Sequence, residues 1–334
     1  MAASASGSES ASGSSVEIVH GRPVYFDCDT GIDDSMALLL LVSSDVDVVG
    51  IGTVSGNIDA DQAARNTLDL LALAQQPDIP VAIGARAFLT TQYAGGVPHI
   101  HGRNGVGDID LPRGGEPVEG DAADLLISLA YEYPGELEII AVGPMTNLAI
   151  ALQRDAELAS LIRRVTIMGG AAMVPGNLSA AAEANIGHDP EAAQAVFHAP
   201  WPLTMVGLDV TLGHTIALEE QWRLTSSDSL CAQAIGRMLE LYFDFHVEIF
   251  GERCAALHDP LAVAIATGEA IATLAPVVPA TVDTTDGPDR GRTVCDLRGR
   301  FRDYPERPDA HCTVVLEVAK PFGPTLITRL LALP

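Results

Sequence analysis

PVYFDCDTGIDDSMALLLLV, residues 23–42, contains the turn on which the reading of this chain depends. Pro23–Asp27 (PVYFD) is rich in aromatic and β-branched side chains and predicts a strand. Asp33–Val42 predicts a helix. Between them, Asp27-Cys28-Asp29-Thr30-Gly31-Ile32-Asp33-Asp34 places four carboxylates in eight residues, where 44 acidic residues in 334 would put about one. A strand ending in Asp-x-Asp and a helix opening with Asp-Asp gather these oxygens around one turn, with Gly31 supplying the bend. Like charges so close repel, and burying them calls for a cation. An all-oxygen ligand set suits a hard ion, Ca2+ or Mg2+. Helix capping would account for Asp33 and Asp34 but not for Asp29.

Outward from this turn the chain alternates strands and helices. Val46–Thr53 (VDVVGIGT) predicts a second strand, with a helix through Asp59–Ala74. Leu137–Val142 and Val165–Met168 predict further strands, with helices after Thr146 and Pro190, and Leu203–Val206 opens another such unit. Such alternation predicts an α/β fold: an open, mostly parallel, Rossmann-like sheet with helices on both faces. Late in the chain, Thr293–Leu297 and Cys312–Val318 suggest an antiparallel excursion of paired strands before a last helix near Thr325. Residues 1–15 are almost wholly Ala, Ser and Gly and read as a flexible tail without a secretory signal. Residues 16–334 are expected to form a single catalytic domain.

Composition narrows the function. Lys and Arg number 19 against 44 Asp and Glu, a formal charge of −25. That charge disfavours nucleic acid and anionic membranes as partners. The longest apolar run, Met36–Val42, is far shorter than the ~20 residues that span a bilayer. Five scattered cysteines form no CxxC pair, which points to reduced thiols and a cytoplasmic location. The nine histidines include no HExxH pair, so zinc is not expected.

In an open α/β sheet the binding crevice lies outside the carboxyl ends of the strands, and the remaining polar clusters fall in strand-to-helix turns. Ser55-Gly56-Asn57 follows the second strand, and Gly143-Pro144-Met145-Thr146-Asn147 follows LEIIAV. Met168-Gly169-Gly170 ends VTIM, and Asn177, Glu183 and Asn185 lie in the loop before Asp189-Pro190. Amides and one carboxylate beside a metal suit the hydroxyl groups of a sugar. His258-Asp259-Pro260 opens another helix, with Asp259 as N-cap the plainer account. His99-Ile100-His101-Gly102 begins a Gly-rich loop suited to a mobile lid or rim.

Together these blocks resemble the inosine–uridine-preferring nucleoside hydrolases. DCDTGIDD, SGN, HGRNGVGD, GPMTNLA, IMGGAAMVPGN, AEANIGHDPEAA, GLDVT and LHDPLA come in that family's order from about Val24 to Ala264, and RTVCD at Arg292–Asp296 resembles a late strand of its fold. The resemblance implies hydrolysis of the N-glycosidic bond of ribonucleosides to free base and ribose, in nucleoside salvage, with a bound Ca2+ and a homo-oligomeric (dimer or tetramer) assembly. It implies Asp29, Asp34, Asp259 and the Thr146 carbonyl as metal ligands, with Asp29 also the base that deprotonates a calcium-bound water. Asp33, Asn57, Asn177, Glu183 and Asn185 would hydrogen-bond the ribose, Met168 would line its pocket, and His258 would be an acid near the leaving base. His246 stands where many relatives place Tyr near the base, Asn104 where many carry Asp, and Thr30 where Pro is common; purine and pyrimidine both stay open.

The chemistry agrees with these roles. N-glycosidic cleavage passes through an oxocarbenium-like ribosyl centre, which a carboxylate-rich pocket stabilises. Two other readings use the same motif. A Mg-dependent phosphohydrolase also carries Asp-x-Asp at a strand end, but wants Thr or Val where Gly31 stands. A nucleoside- or ribose-binding protein without turnover would keep the pocket, but has no need of Asp29 with a complete metal set.

Overall fold

The computed structural model describes residues 21–334, so the expected tail lies outside the described residues. The decisive turn forms as expected: strand β1 (Arg22–Cys28) leads into a helix over Ile32–Val42. Further strands are β2 (Val46–Thr53), β3 (Val81–Ile83), β4 (Glu138–Ala141), β5 (Arg164–Met168) and β6 (Leu203–Val206). They pair in parallel in the spatial order β3-β2-β1-β4-β5-β6. Cys312–Val314 extends the sheet beside β6, also in parallel, and Val277–Val278 ends that edge antiparallel.

β1 lies inside the sheet and is buried on both faces, as parallel strands covered by helices must be. Val24, Phe26 and Cys28 pack with the helices Ile32–Val42, Leu230–Phe250 and His258–Thr267. Tyr25 packs on the opposite face with the helices Ala122–Glu132, Thr146–Arg154 and Pro190–His198. The chain moves outward from β1 through β2 to β3, then returns to place β4 on the other side of β1. The order therefore reverses between β1 and β4, and the crevice belongs at their carboxyl ends. Asp29 follows β1, and Thr146 opens the helix after β4.

The late antiparallel excursion exists, but its expected pairing is corrected. Thr293–Cys295 pairs with Ala280–Val282, whereas Cys312–Val314 pairs with β6 and Val277–Val278. The partner of each is a two- or three-residue strand beside a proline, Pro276 or Pro279, with almost no pattern of its own. Two more small antiparallel pairs join Thr215–Ala217 to Cys254–Ala256 and Ala272–Leu274 to Glu317–Val318. No helix among the described residues is long and apolar enough to cross a membrane, and all five cysteines are unpaired.

Candidate active site

The DCDTGIDD turn folds the carboxylates onto the start of the helix Ile32–Val42. Asp34, in its first turn, accepts the Asp29 amide at 3.1 Å and the Gly31 amide at 2.9 Å. It also accepts from the Asn57 side chain at 3.0 Å. Asp29 Oδ2 accepts the Asn57 amide at 2.6 Å, while its buried Oδ1 has no partner. Glycines make this approach possible: a Cβ at Gly56 would collide with the Asp29 carboxylate, and one at Gly143 would stand 2.9 Å from its Oδ1. Asp33 Oδ1 is likewise buried without a partner.

Asp259 approaches from the other side, on the helix His258–Thr267. It is the second residue of that helix and makes no cap bond, so the N-cap reading does not hold. One carboxylate oxygen each from Asp33, Asp34 and Asp259 lie within 4.8 Å of one another. Burial raises Asp29, Asp34 and Asp259. Asp29 is held well above the carboxylate range by burial and by Asp34, and Asp259 by burial and by Asp33 and Asp34. Asp34 is pushed up to about 6 by burial, then by Asp33. No arginine or lysine is paired with any of them among the described residues. Such a cluster binds protons or a cation, and its hard oxygen donors suit a divalent ion of the Ca2+ type.

Histidines line the next layer. His258 Nδ1 lies 2.9 Å from the Thr211 hydroxyl, and burial lowers its pKa to about 4, leaving it neutral. His101 accepts the Ile32 amide on Nδ1 at 3.0 Å, so its proton sits on Nε2; burial lowers it too to about 4. His246, on the long helix Leu230–Phe250, donates from Nδ1 to the Tyr242 carbonyl at 2.8 Å. Its ring packs against Tyr242 at 4.4 Å and lies 6.5 Å from His258. These rings form one contiguous group beside Asp33.

The other expected residues fall on the same end of the sheet with well-defined partners. Thr146 is the first residue of its helix, after the N-cap Met145, and is buried; its hydroxyl donates to Asp189 at 2.7 Å. Glu183 caps the short helix Ala184–His188 and accepts from Gly170, Asn185 and Ile186 amides. Asn185 donates to the Val142 and Met168 carbonyls at 2.7 and 3.2 Å, tying the ends of β4 and β5 together. Met168 is buried beneath it. Asn177 is exposed, with its side-chain oxygen accepting the Ala184 amide at 2.9 Å.

Two differences from the sequence reading stand out. The three-carboxylate group whose oxygens lie within 4.8 Å of one another contains Asp33, not Asp29, alongside Asp34 and Asp259. The loop expected as a mobile lid or rim is held at its start, where His101 is buried on the Ile32 amide and Val97 donates to the Asn57 carbonyl at 3.1 Å. His101 and Tyr242 therefore join the site, and the HIHG motif was the available signal for the first of them.

Residues 24–322 match the family described as inosine-uridine preferring nucleoside hydrolase. Uridine nucleosidase 1 of Arabidopsis thaliana is 40% identical over 244 residues, 71% of this chain and 71% of its own length. The pyrimidine-specific ribonucleoside hydrolase RihA of Citrobacter koseri is 38% identical over 245 residues, 72% of this chain and 78% of its own. Among solved structures, a plant nucleoside hydrolase superposes with a TM-score of 0.86 at 31% identity, covering 93% of this chain and 99% of that one. A purine-preferring ribonucleoside hydrolase from Gardnerella vaginalis gives 0.84 at 31% identity, covering 92% and 98%. A strand-end acidic turn, a match over nearly the whole described chain and full-length structural similarity agree, and the chain belongs to the inosine-uridine preferring nucleoside hydrolase family.

Proposed function

We propose that this ribonucleoside hydrolase works with a calcium ion held by Asp29, Asp34, Asp259 and the Thr146 carbonyl. The observation that carries the reading is the pair of buried oxygens without a hydrogen-bond partner, Asp29 Oδ1 and Asp33 Oδ1, beside two further carboxylates and, among the described residues, no arginine or lysine. A buried anionic oxygen without a donor costs several kcal/mol unless a cation or proton reaches it. The donor set therefore fits a hard divalent ion. When bound, that ion supplies positive charge, grips vicinal ribose hydroxyls and makes water more acidic.

The chain's own residues do the rest. Asp29 is the proton acceptor: its Oδ1 is free, while the Asn57 amide on Oδ2 fixes its orientation. Asp33, with its free oxygen, and Asn57 are assigned to ribose hydroxyls, as are Asn177, Glu183 and Asn185, with Met168 as the floor. The carboxylates stabilise the oxocarbenium-like ribosyl centre as the bond to the base stretches. His258 is neutral and is assigned to hydrogen-bonding the departing base rather than to delivering a proton as imidazolium. His246 is assigned to the base pocket. The names of the two curated relatives above, uridine nucleosidase and pyrimidine-specific hydrolase, favour a pyrimidine ribonucleoside as preferred substrate.

The test is release of base and reducing sugar from inosine, adenosine, guanosine, uridine and cytidine, with and without a calcium chelator. Chelator-sensitive release, fastest with uridine or cytidine, is expected. Nucleoside binding without release would favour a binding protein, and phosphate release from nucleotides without base release a phosphohydrolase.

A further inference from the structure

The helix Ala60–Leu73 contributes no residue to the proposed ligand set, yet two adjacent side chains from its middle close on Thr30. Thr30 lies between Asp29 and the Asp33–Asp34 pair. Asn66 donates one amide hydrogen to the Thr30 carbonyl at 3.1 Å and the other to the Asn104 carbonyl at 2.8 Å. Its oxygen accepts from Gln62 at 2.8 Å. The Thr30 and Thr67 hydroxyls lie 2.7 Å apart, and Thr67 lies 2.9 Å from the Ala63 carbonyl.

The direction of this chain can be worked out. A carbonyl only accepts, so the single Thr67 proton goes to Ala63, and Thr30 must donate to Thr67. Cys28 Sγ lies 3.3 Å from the Thr30 hydroxyl and 3.8 Å from the Gly52 carbonyl, the two acceptors nearest its single proton. Cys28, Thr30 and Thr67 are wholly buried and Asn66 nearly so, leaving no water to replace a lost partner. The Gly-rich loop is held to the same point: a Cβ on Gly105 would stand 2.8 Å from Asn66 Nδ2 and 3.1 Å from the Thr30 oxygen.

We infer that Asn66 and Thr67 are positioning residues for the cation site, holding the Thr30 peptide and with it the relation between Asp29 and the Asp33–Asp34 pair. The inference rests on the calcium reading above and deepens it. A ligand loop anchored through one residue loses affinity when the anchor goes, although the anchor touches no ion.

The experiment is calorimetric titration of the chelator-stripped full chain with CaCl2, without substrate, alongside thermal unfolding of the same stripped proteins. Thr67→Val keeps the shape but removes the acceptor, and Asn66→Ala removes the carbonyl grip; each is expected to weaken Ca2+ binding about tenfold. Thr67→Ser keeps the hydroxyl and is expected to restore affinity to within about twofold. Should Thr67→Val fail to fold, Thr30→Val removes the donor, leaves the Thr67–Ala63 bond intact, and carries the same expectation. Wild-type Ca2+ affinity in Thr67→Val and Asn66→Ala, with only a lower melting temperature, would overturn the inference and leave them as packing residues. Asp34→Asn separates the two failures: if it titrates like wild type, the ligand reading falls and this inference with it. If Asp34→Asn loses binding while Thr67→Val and Asn66→Ala do not, only the inference falls.

Discussion

Buried acids occupy both ends of the central strands, and the two ends treat them differently. At the amino end, Glu138 opens β4 with its carboxylate buried and meets Arg22 at 3.1 Å and Arg164 at 2.7 Å, with Arg163 at 3.6 Å. The same two arginines that open β1 and β5 also donate to the Thr267 and Ala266 carbonyls at the end of the helix carrying Asp259. At the carboxyl end, Asp29, Asp33, Asp34 and Asp259 share no arginine among the described residues, and two of their oxygens have no partner. Paired acid at the foot serves the fold. Unpaired acid at the head is a cost that a proton or a cation offsets, and that contrast marks where the chemistry lies.

The largest effect that could break this contrast is Asp29→Asn, expected to lower kcat about 10³-fold, within the range for a lost general base, while the protein stays folded. Near-normal turnover at saturating calcium would remove Asp29 from its role. Next comes the cation itself. At a hundredfold excess over Kd it is expected to stabilise the stripped protein by about 2.7 kcal/mol. This gain should depend on pH. Asp34, raised from 3.8 to about 6 in the folded protein, holds a proton that the unfolded chain has already lost. The folded state therefore binds more protons across that window, so the stripped protein loses stability as pH rises from about 4 to about 6. Thermal unfolding with and without CaCl2 at pH 5 and pH 7.5 should show the larger shift at pH 7.5.

Glu138→Gln probes the other end. Removing one partner of a buried ion cluster whose arginines are partly exposed is expected to cost on the order of 2 kcal/mol. Denaturant unfolding would measure it, with kcat and Ca2+ affinity near wild type. A loss of Ca2+ affinity matching that of Asp34→Asn would erase the distinction between the ends. The smallest effect is expected from His246→Ala, a change of roughly tenfold in the uridine-to-inosine ratio of kcat/KM with Ca2+ binding unaltered.

Much of this was legible in the residues. β2 and β6 run over Val46–Thr53 and Leu203–Val206, the expected spans, because short apolar runs in a parallel sheet are buried on both faces and carry their own signal. β3, only Val81–Ile83 after Pro80, offered too little pattern to be singled out. The pairing of the late strands depended on which neighbours the fold brought together, and local sequence holds no record of that. In the site, DCDTGIDD announced the acidic turn, but spacing could not say which oxygens converge. Asp259 looked like a cap because Pro260 follows it; in the fold the helix begins at His258, two residues earlier than that reading puts it, and the Asp259 carboxylate meets those of Asp33 and Asp34. His101 joins the site through an amide 69 positions away, which is tertiary information.

The central claim is that the unpaired acids at the head of the sheet hold a divalent cation on which ribonucleoside hydrolysis depends. It is tested most directly by measuring base and ribose release from uridine and inosine with protein stripped by chelator, before and after CaCl2 is restored. The account predicts that release falls to background on stripping and returns with calcium. Undiminished release from protein shown by elemental analysis to be free of divalent metal would contradict it.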